Sequence, residues 1–563
     1  PPIWTSGNVA YVNRDGNNNG MYTFNGSSWS KTKAYDASDY VTHEFGTGIN
    51  IFNSRDVRIH GVAISNFTGD CITIGNTQGG PSPSPDAMST KNVHILDCFL
   101  GGSRRQGVSI VGGDDVFVRG NRFYDIGRRA NLQDGVAPRS GVDIESGTSN
   151  KSNNIIVEGN IFAGCQSASV INYDGNNVTI HGNTMDSPVS YGFGANTVIS
   201  GNSVTGAGIT SIGARPPRTF TYTQVASTMT LTTASAHGLS TGSTDYFSFI
   251  NAATGLVEWS GVFSVKVVSP TMLVFDTPRF TSSSGIGFQK YMANNAVVSN
   301  NTIMNGSIFL NGINITVENN TIQNPAGYGI FVNSGVVDAV VVGNLIDGAT
   351  IGIDSAKGSF SAAIRCNEVK NCSVCGISTS LSIGLVEGNR ISKSLVGIVT
   401  AAGRAYISGN SIFINDYAMA TAGAIVAVAP ATEFLEISDN IVDADKSDVI
   451  ISVSRPALIR NNRILRYTGR IGISVSGPGA NGSQVTGNFI ESDRTATGTS
   501  CGLALAGSVD SCRVLQNTIY AKQAAYFRAI DTSAGANTRL TNNIHSGLIT
   551  SAGTDTLVSN VAY

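Results

Sequence analysis

The chain has 563 residues, of which 13% are charged, with a formal net charge of −2; Gly is abundant at 65 and Pro sparse at 15. A near-neutral chain of this kind offers no electrostatic case for binding nucleic acid or an anionic membrane. The 41% hydrophobic content is ample for a core, but it comes in runs of four to six, too short to span a bilayer.

The opening residues, PPIWTSG, carry no signal peptide, as expected of a processed fragment. Residues 1–50 hold a Gly/Asn turn (RDGNNNGMYTF) and Trp4 and Trp29 but no repeat, and are expected to form an N-terminal cap. From about residue 51 a short phrase recurs: apolar–x–Gly/Asn–Asn–x–apolar. It reads VRGNRF at Asn121, VEGNIF at Asn160, IHGNTM at Asn183 and ISGNSV at Asn202. It resumes at Asn301, Asn320, Asn344, Asn389, Asn410, Asn440, Asn462, Asn488, Asn517 and Asn543. The steps vary: 23 from Asn160 to Asn183, 19 to Asn202, 24 from Asn320 to Asn344. β-branched triplets broken by Gly and Asn at this irregular period predict an all-β parallel β-solenoid, one coil per repeat. Asn tolerates the left-handed backbone of a tight corner, and stacked Asn side chains can bond to one another from coil to coil. A second phrase, GVSIV at Gly107, GVDIE at Gly141, GIFVN at Gly329 and GISVS at Gly472, marks another strand per coil with Gly at its entrance. Some sixteen coils at ~4.8 Å each predict a rod roughly 75 Å long. Its faces, largely Ser, Thr, Asn and Ala with few Lys, predict lateral association as a parallel homotrimer.

The first part of the solenoid is expected over 51–214. Residues 215–290 break the repeat with short alternating runs (TFTYTQ, TMTLTT, YFSFI, FSVKVV, MLVFD), which predict a small antiparallel β-barrel or sandwich module inserted in a corner loop. The solenoid resumes over 291–545, leaving a tail at 546–563. Eight cysteines lie at strand or corner positions without a repeated spacing and are expected as buried free thiols, including the lone pair Cys372 and Cys375. No metal-ligand spacing stands out, and no cofactor is expected.

Chemistry concentrates between 69 and 175. That stretch holds Asp70, then Arg104, Arg105, Gln106, Asp114 and Asp115, then YDIGRRANLQDGVAPRSGVDIE with Arg128, Arg129, Asp134, Arg139, Asp143 and Glu145, then Tyr173 and Asp174. The step from Gly107 to Gly141 is 34, and the surplus over a plain coil is the polar loop 127–139. Enlarged loops on one rung of a regular scaffold are where binding function concentrates. In GVDIE, alternation sends Val142 and Ile144 to the core and Asp143 and Glu145 outward together, ~6.6 Å apart along the strand. Paired carboxylates at that separation suit inverting glycoside hydrolysis, one as acid and one as base. Mutual repulsion raises one pKa, as the acid role needs. Arg104 and Arg105 stand just before the stacked strand of the preceding coil, within reach of a substrate carboxylate or a developing charge. Asp70, at a strand start, is placed to orient a neighbour. Gln106, Arg128, Arg129, Asp134, Arg139 and Asp174 supply polar contacts, and Tyr124 and Tyr173 offer rings for sugar stacking. Asp114, Asp115, His60, His94 and His181 read as turn or surface residues.

The coil repeat together with RRQGVSIV…VRGNRFYDIG…GVDIE resembles the pectate-lyase-like right-handed parallel β-helix as used in bacteriophage tailspikes. GDC at Gly69–Cys71 is similar to the GDDC of polygalacturonases with one aspartate missing; their later Gly-His-Gly is absent, so that mechanism does not carry over. The AHGLSTG…GVFSVKVV segment looks like the small β modules of phage tail and adhesion proteins. The resemblance implies a trimeric tailspike on the virion tail that binds and cleaves a bacterial surface polysaccharide, O-antigen or capsule, with a particle-binding part N-terminal to this chain. Three functions stay open. One is a depolymerase acting by hydrolysis through Asp143 and Glu145. Another is a lyase on a uronic-acid glycan with Arg104 or Arg105 neutralising the carboxylate. The third is a glycan-binding fibre without catalysis.

Overall fold

The computed structural model of the chain describes residues 9–12, 20–34, 46–76, 89–128, 135–145, 152–212 and 218–562, save 226–227, 235–240, 243, 252–256, 277–283, 291–294, 334–335, 337, 356–360, 381–382, 402, 415–422, 429–434, 445–447, 494–499, 523–526 and 552–553. It falls into two compact units, residues 1–171 with 185–187, and residues 172–184 with 188–563. The strands are almost all parallel and belong to three sets of eighteen, here sheets I, II and III, to each of which every coil contributes one strand. The chain is a parallel β-solenoid. One 3-10 turn, Pro478–Ala480, is the helical element among the described residues, and no helix there is long and apolar enough to cross a membrane.

In the first unit, sheet I stacks Ile49–Phe52, Ile72–Gly75, Val108–Ile110 and Ser140–Ile144. Ile72 aligns with Val108 and Val142, Thr73 with Ser109 and Asp143, and Ile74 with Ile110 and Ile144. The aligned apolar residues are fully buried, as alternation requires. The core between the sheets is narrow. Sheet III stacks Phe99–Gly101, Arg122–Tyr124 and Ile161–Ala163, and its Phe123 and Phe162 stack at 4.5 Å across from the strand entrances. A Cβ on Gly107 would lie 2.6 Å from Phe123 Cδ1, and one on Gly141 would lie 2.5 Å from Phe162 Cδ1. Glycine at the strand entrance is therefore dictated by close approach. Ahead of the coils, Val9–Val12, Gly20–Phe24 and Trp29–Ala34 form an antiparallel three-stranded sheet.

The second unit repeats the coil from Val189–Tyr191 to Val561–Ala562, so parallel rungs extend past residue 545. Between Ile209–Ser211 and Val297–Ser299 it carries a seven-stranded antiparallel sheet spanning Arg218 to Lys290, built around Phe220, Tyr222, Met229, Leu231, Phe247, Val265 and Leu273.

The asparagines form the expected ladder, with a correction to their backbone. Asn389 donates from both its backbone N and its Nδ2 to Asn410 Oδ1, at 2.9 and 3.0 Å, and Asn367 does the same to Asn389. The ladder Asn residues from Asn121 to Asn543 are buried. The left-handed backbone belongs instead to the residue before it: Gly388 at φ 64°, Gly409 at 64°, Asn461 at 55°, Cys366 at 52°. The Gly/Asn that precedes the ladder residue turns the corner, which frees the ladder Asn to point its amide inward. Sheets of eighteen strands also exceed the sixteen coils read from sequence. The phrase recurs at Asn367 and Asn560, and in the first two coils Val62 and Cys98 stand in the ladder position, their carbonyls accepting from Phe99 N and Arg122 N as Asn121 O accepts from Ile161 N.

Candidate functional site

Sheet I of the first unit gathers the charge that the sequence singles out. Asp70 lies just before the Ile72–Gly75 strand, Arg105 and Gln106 just before Val108–Ile110, and Asp143 and Glu145 at the end of Ser140–Ile144. Stacking of the three strands in register brings them onto adjacent rungs.

Arg105 Nη1 is 3.0 Å from Asp70 Oδ2 and 3.3 Å from Oδ1, and Thr73 Oγ1 donates to Oδ2 at 3.1 Å. Asp70 is nevertheless pushed up to about 6, because burial outweighs the guanidinium and the hydroxyl. Gln106 Nε2 donates to Asp143 Oδ2 at 2.6 Å, and Ser140 Oγ donates to Gln106 Oε1 at 2.9 Å. Burial pushes Asp143 up to about 7; the Gln106 bond and the Arg105 charge oppose this, while the Glu145 and Asp70 charges add to it. Asp70, Arg105, Asp143 and Glu145 thus form one electrostatic cluster.

The expected outward pair departs from the sequence reading in one respect. Val142 and Ile144 face the core and Glu145 is exposed, but Asp143 is 2% exposed. Burial of the carboxyl is what desolvates it. Gln106 is not an open substrate contact either: it is fully buried and spends its amide on Asp143 and Ser140.

Arg104 and Arg105 part company. Arg105 joins the cluster, whereas the Arg104 side chain is fully buried and does not present its charge at the surface. Arg139 is half-buried, with Nη1 donating to Gln166 Oε1 at 3.2 Å and φ at 62°, and Arg128 is exposed. Arg129 and Asp134 lie outside the described residues. Tyr173 and Asp174 belong to the second unit, where the Tyr173 ring meets Phe193 edge-on at 5.0 Å. Asp114 and Asp115, expected in a turn, lie within the strand Gly113–Arg119, where Asp115, at φ 55°, accepts from Asn154 and pairs with Lys91. Among the described residues no group of His, Cys, Asp and Glu is arranged to hold a metal ion.

Two residues escape the sequence reading. Ser140 orients Gln106, and Ser109, aligned with Asp143, holds a buried Oγ without a partner among the described residues. A signal for Ser109 was present: GVSI and GVDI are the same phrase on consecutive coils, with Ser where the next has Asp.

No family model matches the chain. Two proteins of Bacillus subtilis (strain 168) are similar over part of it. The uncharacterized protein YclG is 37% identical over 166 residues, 29% of this chain and 27% of that protein. The SPbeta prophage-derived uncharacterized protein YorA is 27% identical over 176 residues, 30% and 29% respectively. The chain therefore spans under a third of each relative's length. Solved structures similar to it include the Gp54 tailspike of Acinetobacter baumannii bacteriophage AP22, in complex with A. baumannii capsular saccharide, at 9% identity and TM-score 0.31, covering 70% of this chain and 72% of that one. The tailspike gp49 of Pseudomonas phage LKA1 is 12% identical at TM-score 0.29, covering 69% and 75%. The catalytic unit of a GH87 α-1,3-glucanase from Streptomyces thermodiastaticus is 13% identical at TM-score 0.29, covering 71% and 63%. The likeness is one of fold alone.

Proposed function

We propose that this chain is a tailspike-type depolymerase that binds and cleaves a bacterial surface polysaccharide, O-antigen or capsule, by glycoside hydrolysis at the sheet I cluster of its first unit. Asp143 serves as the acid and Glu145 as the base that activates water. The observation that carries the reading is the carboxyl of Asp143, pushed up to about 7 by burial beside the exposed Glu145. A carboxyl that keeps its proton near neutral pH can protonate a leaving glycosidic oxygen, and the exposed Glu145 can take a proton from water. Asp70 and Arg105 hold the adjoining rung and set the local charge.

The pairing of Arg105 with Asp70 weighs against β-elimination, because a guanidinium already bonded to a carboxylate is less available to a uronate. Assembly as a homotrimer on the virion tail fits the side of the first unit that sheet III forms, where Phe99, Tyr124 and Ile161 are 42%, 54% and 45% exposed.

The test incubates the protein with surface polysaccharide from a bacterium to which it binds, following chain length, reducing ends and the ultraviolet absorbance of unsaturated uronides together. Shorter chains with new reducing ends, no absorbance, and loss of both on Asp143→Asn and on Glu145→Gln are expected. Rising absorbance would replace hydrolysis by elimination. A bound polysaccharide that is never shortened would leave a glycan-binding fibre.

A further inference from the structure

The two oxygens of Asp143 have unlike surroundings. Oδ2 accepts from Gln106 Nε2 at 2.6 Å, and Oδ1 takes no protein donor among the described residues. The Gln106 amide is itself held in place. Ser140 Oγ donates to Oε1 at 2.9 Å, and the Gln106 backbone carbonyl accepts from Ser103 Oγ at 2.7 Å and from Cys71 N at 2.9 Å. Both Gln106 and Ser140 are fully buried, and the Gln106 amide is engaged by Asp143 and Ser140.

We propose that Gln106, oriented by Ser140, is a positioning residue that keeps the proton of Asp143 on Oδ1 and off Oδ2. This rests on the reading of Asp143 as the acid. An amide N–H can only donate, and the carbonyl oxygen of a carboxylic acid is a far better acceptor than its hydroxyl oxygen. With Nε2 directed at Oδ2, the neutral acid is most stable with Oδ2 as carbonyl and the hydrogen on Oδ1. The serine fits the same arrangement: its hydroxyl donates to Oε1 at the end of the amide away from the carboxyl. The same bond strengthens when Asp143 ionises, because a charged acceptor makes the stronger hydrogen bond. Gln106 therefore does two things: it selects the oxygen that delivers the proton, and it stabilises the carboxylate left behind.

The opposite orientation makes the opposite prediction, which gives the test its sign. Were Oε1 to face Asp143, the bond would exist only in the neutral acid and would hold the proton on Oδ2. Loss of Gln106 would then destabilise the neutral form and lower the titration midpoint. With Nε2 facing the carboxyl, loss of Gln106 destabilises the ionised form and raises it.

The experiment labels aspartate side-chain carboxyls with ¹³C, assigns Asp143 by the resonance missing from Asp143→Asn, and titrates the otherwise intact chain by NMR. For Gln106→Met the Asp143 midpoint is expected to move up by about one pH unit. For Ser140→Ala it should move the same way by less. A midpoint that moves down, or does not move, in a Gln106→Met protein whose other aspartates titrate as before would overturn the assignment. Where cleavage is measured, the basic limb of the kcat profile should follow the midpoint upward with KM unchanged, since the Gln106 amide is engaged by Asp143 and Ser140. A midpoint that rises in a protein that cleaves no polysaccharide would sink the depolymerase reading and leave the orientation of Gln106 established.

Discussion

Arg105 reaches back one rung to Asp70, its Nη1 3.0 Å and 3.3 Å from the two carboxylate oxygens, and both side chains are largely shielded from water. A pair enclosed this way has little net worth as a source of stability, but it is expensive to break from one side. Arg105→Ala is therefore expected to cost about 3 kcal/mol at pH 8, where Asp70 must otherwise remain ionised and alone. Adding Asp70→Asn to Arg105→Ala should recover most of it, since an amide needs no counter-ion. The measurement is the denaturant midpoint of single and double variants, and equal loss in both would show that Arg105 acts by packing and not by charge.

Stability should also depend on pH with a sign set by the raised acids. Asp143 titrates near 7 and Asp70 near 6 in the folded chain, against about 3.9 when unfolded. Between those values the folded state holds protons that the unfolded state has released. Their contribution is thus fully present below about pH 4 and is lost as pH rises to about 7. Asp143→Asn keeps an acceptor for Gln106 Nε2 and removes the charge, so it should raise the melting temperature at pH 8 and leave it nearly unchanged at pH 4. Equal effects at both pH values would contradict the raised acid.

Alternation in GVDIE is enough to send Val142 and Ile144 inward, and both are fully buried, but Asp143, expected outward, is buried as well. What alternation cannot supply is the environment beyond the strand. Asp143 bonds to Gln106, which Ser140 holds in turn, and both sit at strand entrances where no period applies. Arg104 and Arg105 illustrate the same limit: adjacent in sequence at a corner, one turns in and the other meets Asp70, and nothing in the pattern of RRQG distinguishes them. The ladder was legible because its signal is chemical and repeated. Its first two rungs were not, because Val62 and Cys98 occupy the Asn position there.

Ser109 offers a test of the cover over this cluster. Its hydroxyl is buried and makes no hydrogen bond among the described residues, so the fold carries its desolvation without return. Ser109→Ala should be neutral or stabilising by up to about 1 kcal/mol. A loss of more than that in a denaturant titration would mean the hydroxyl has a partner after all.

The cysteines permit a count. All eight are free, seven are buried and Cys366 is exposed. Burial pushes the thiols of Cys71, Cys375 and Cys501 up to about 12 and those of Cys372 and Cys512 to about 11. A thiol reagent at pH 8 should titrate one group in the native chain and eight after unfolding. Rapid modification of two or more in the native state would point to an opening of the coil around Cys372 and Cys375.

Cys366 also bears on the ladder. It turns the corner before Asn367 at φ 52°, where most other coils place Gly or Asn. A left-handed backbone costs an ordinary residue roughly 1 kcal/mol, a cost that Asn, with its short polar side chain, largely avoids. Cys366→Asn is therefore expected to stabilise the second unit by about that amount. The neighbouring rung should respond in the opposite sense. Asn389 Oδ1 accepts from both the backbone N and the Nδ2 of Asn367, and Asn389 Nδ2 donates to Ile364 O at 2.9 Å. Asn389→Ala removes that acceptor and donor from a dry corner and leaves two buried N–H groups of Asn367 without their partner, a cost of about 3 kcal/mol. Asn389→Asp is the sharper variant. It keeps the acceptor for Asn367 but turns a second carboxylate-like oxygen toward the carbonyl of Ile364, so it should unfold more readily as pH rises and approach the parent only in acid. Because each coil is held chiefly by its neighbours, the loss should appear first as local hydrogen exchange in the adjoining rungs. Exchange that accelerates uniformly across the second unit would show instead that the ladder acts as one cooperative element.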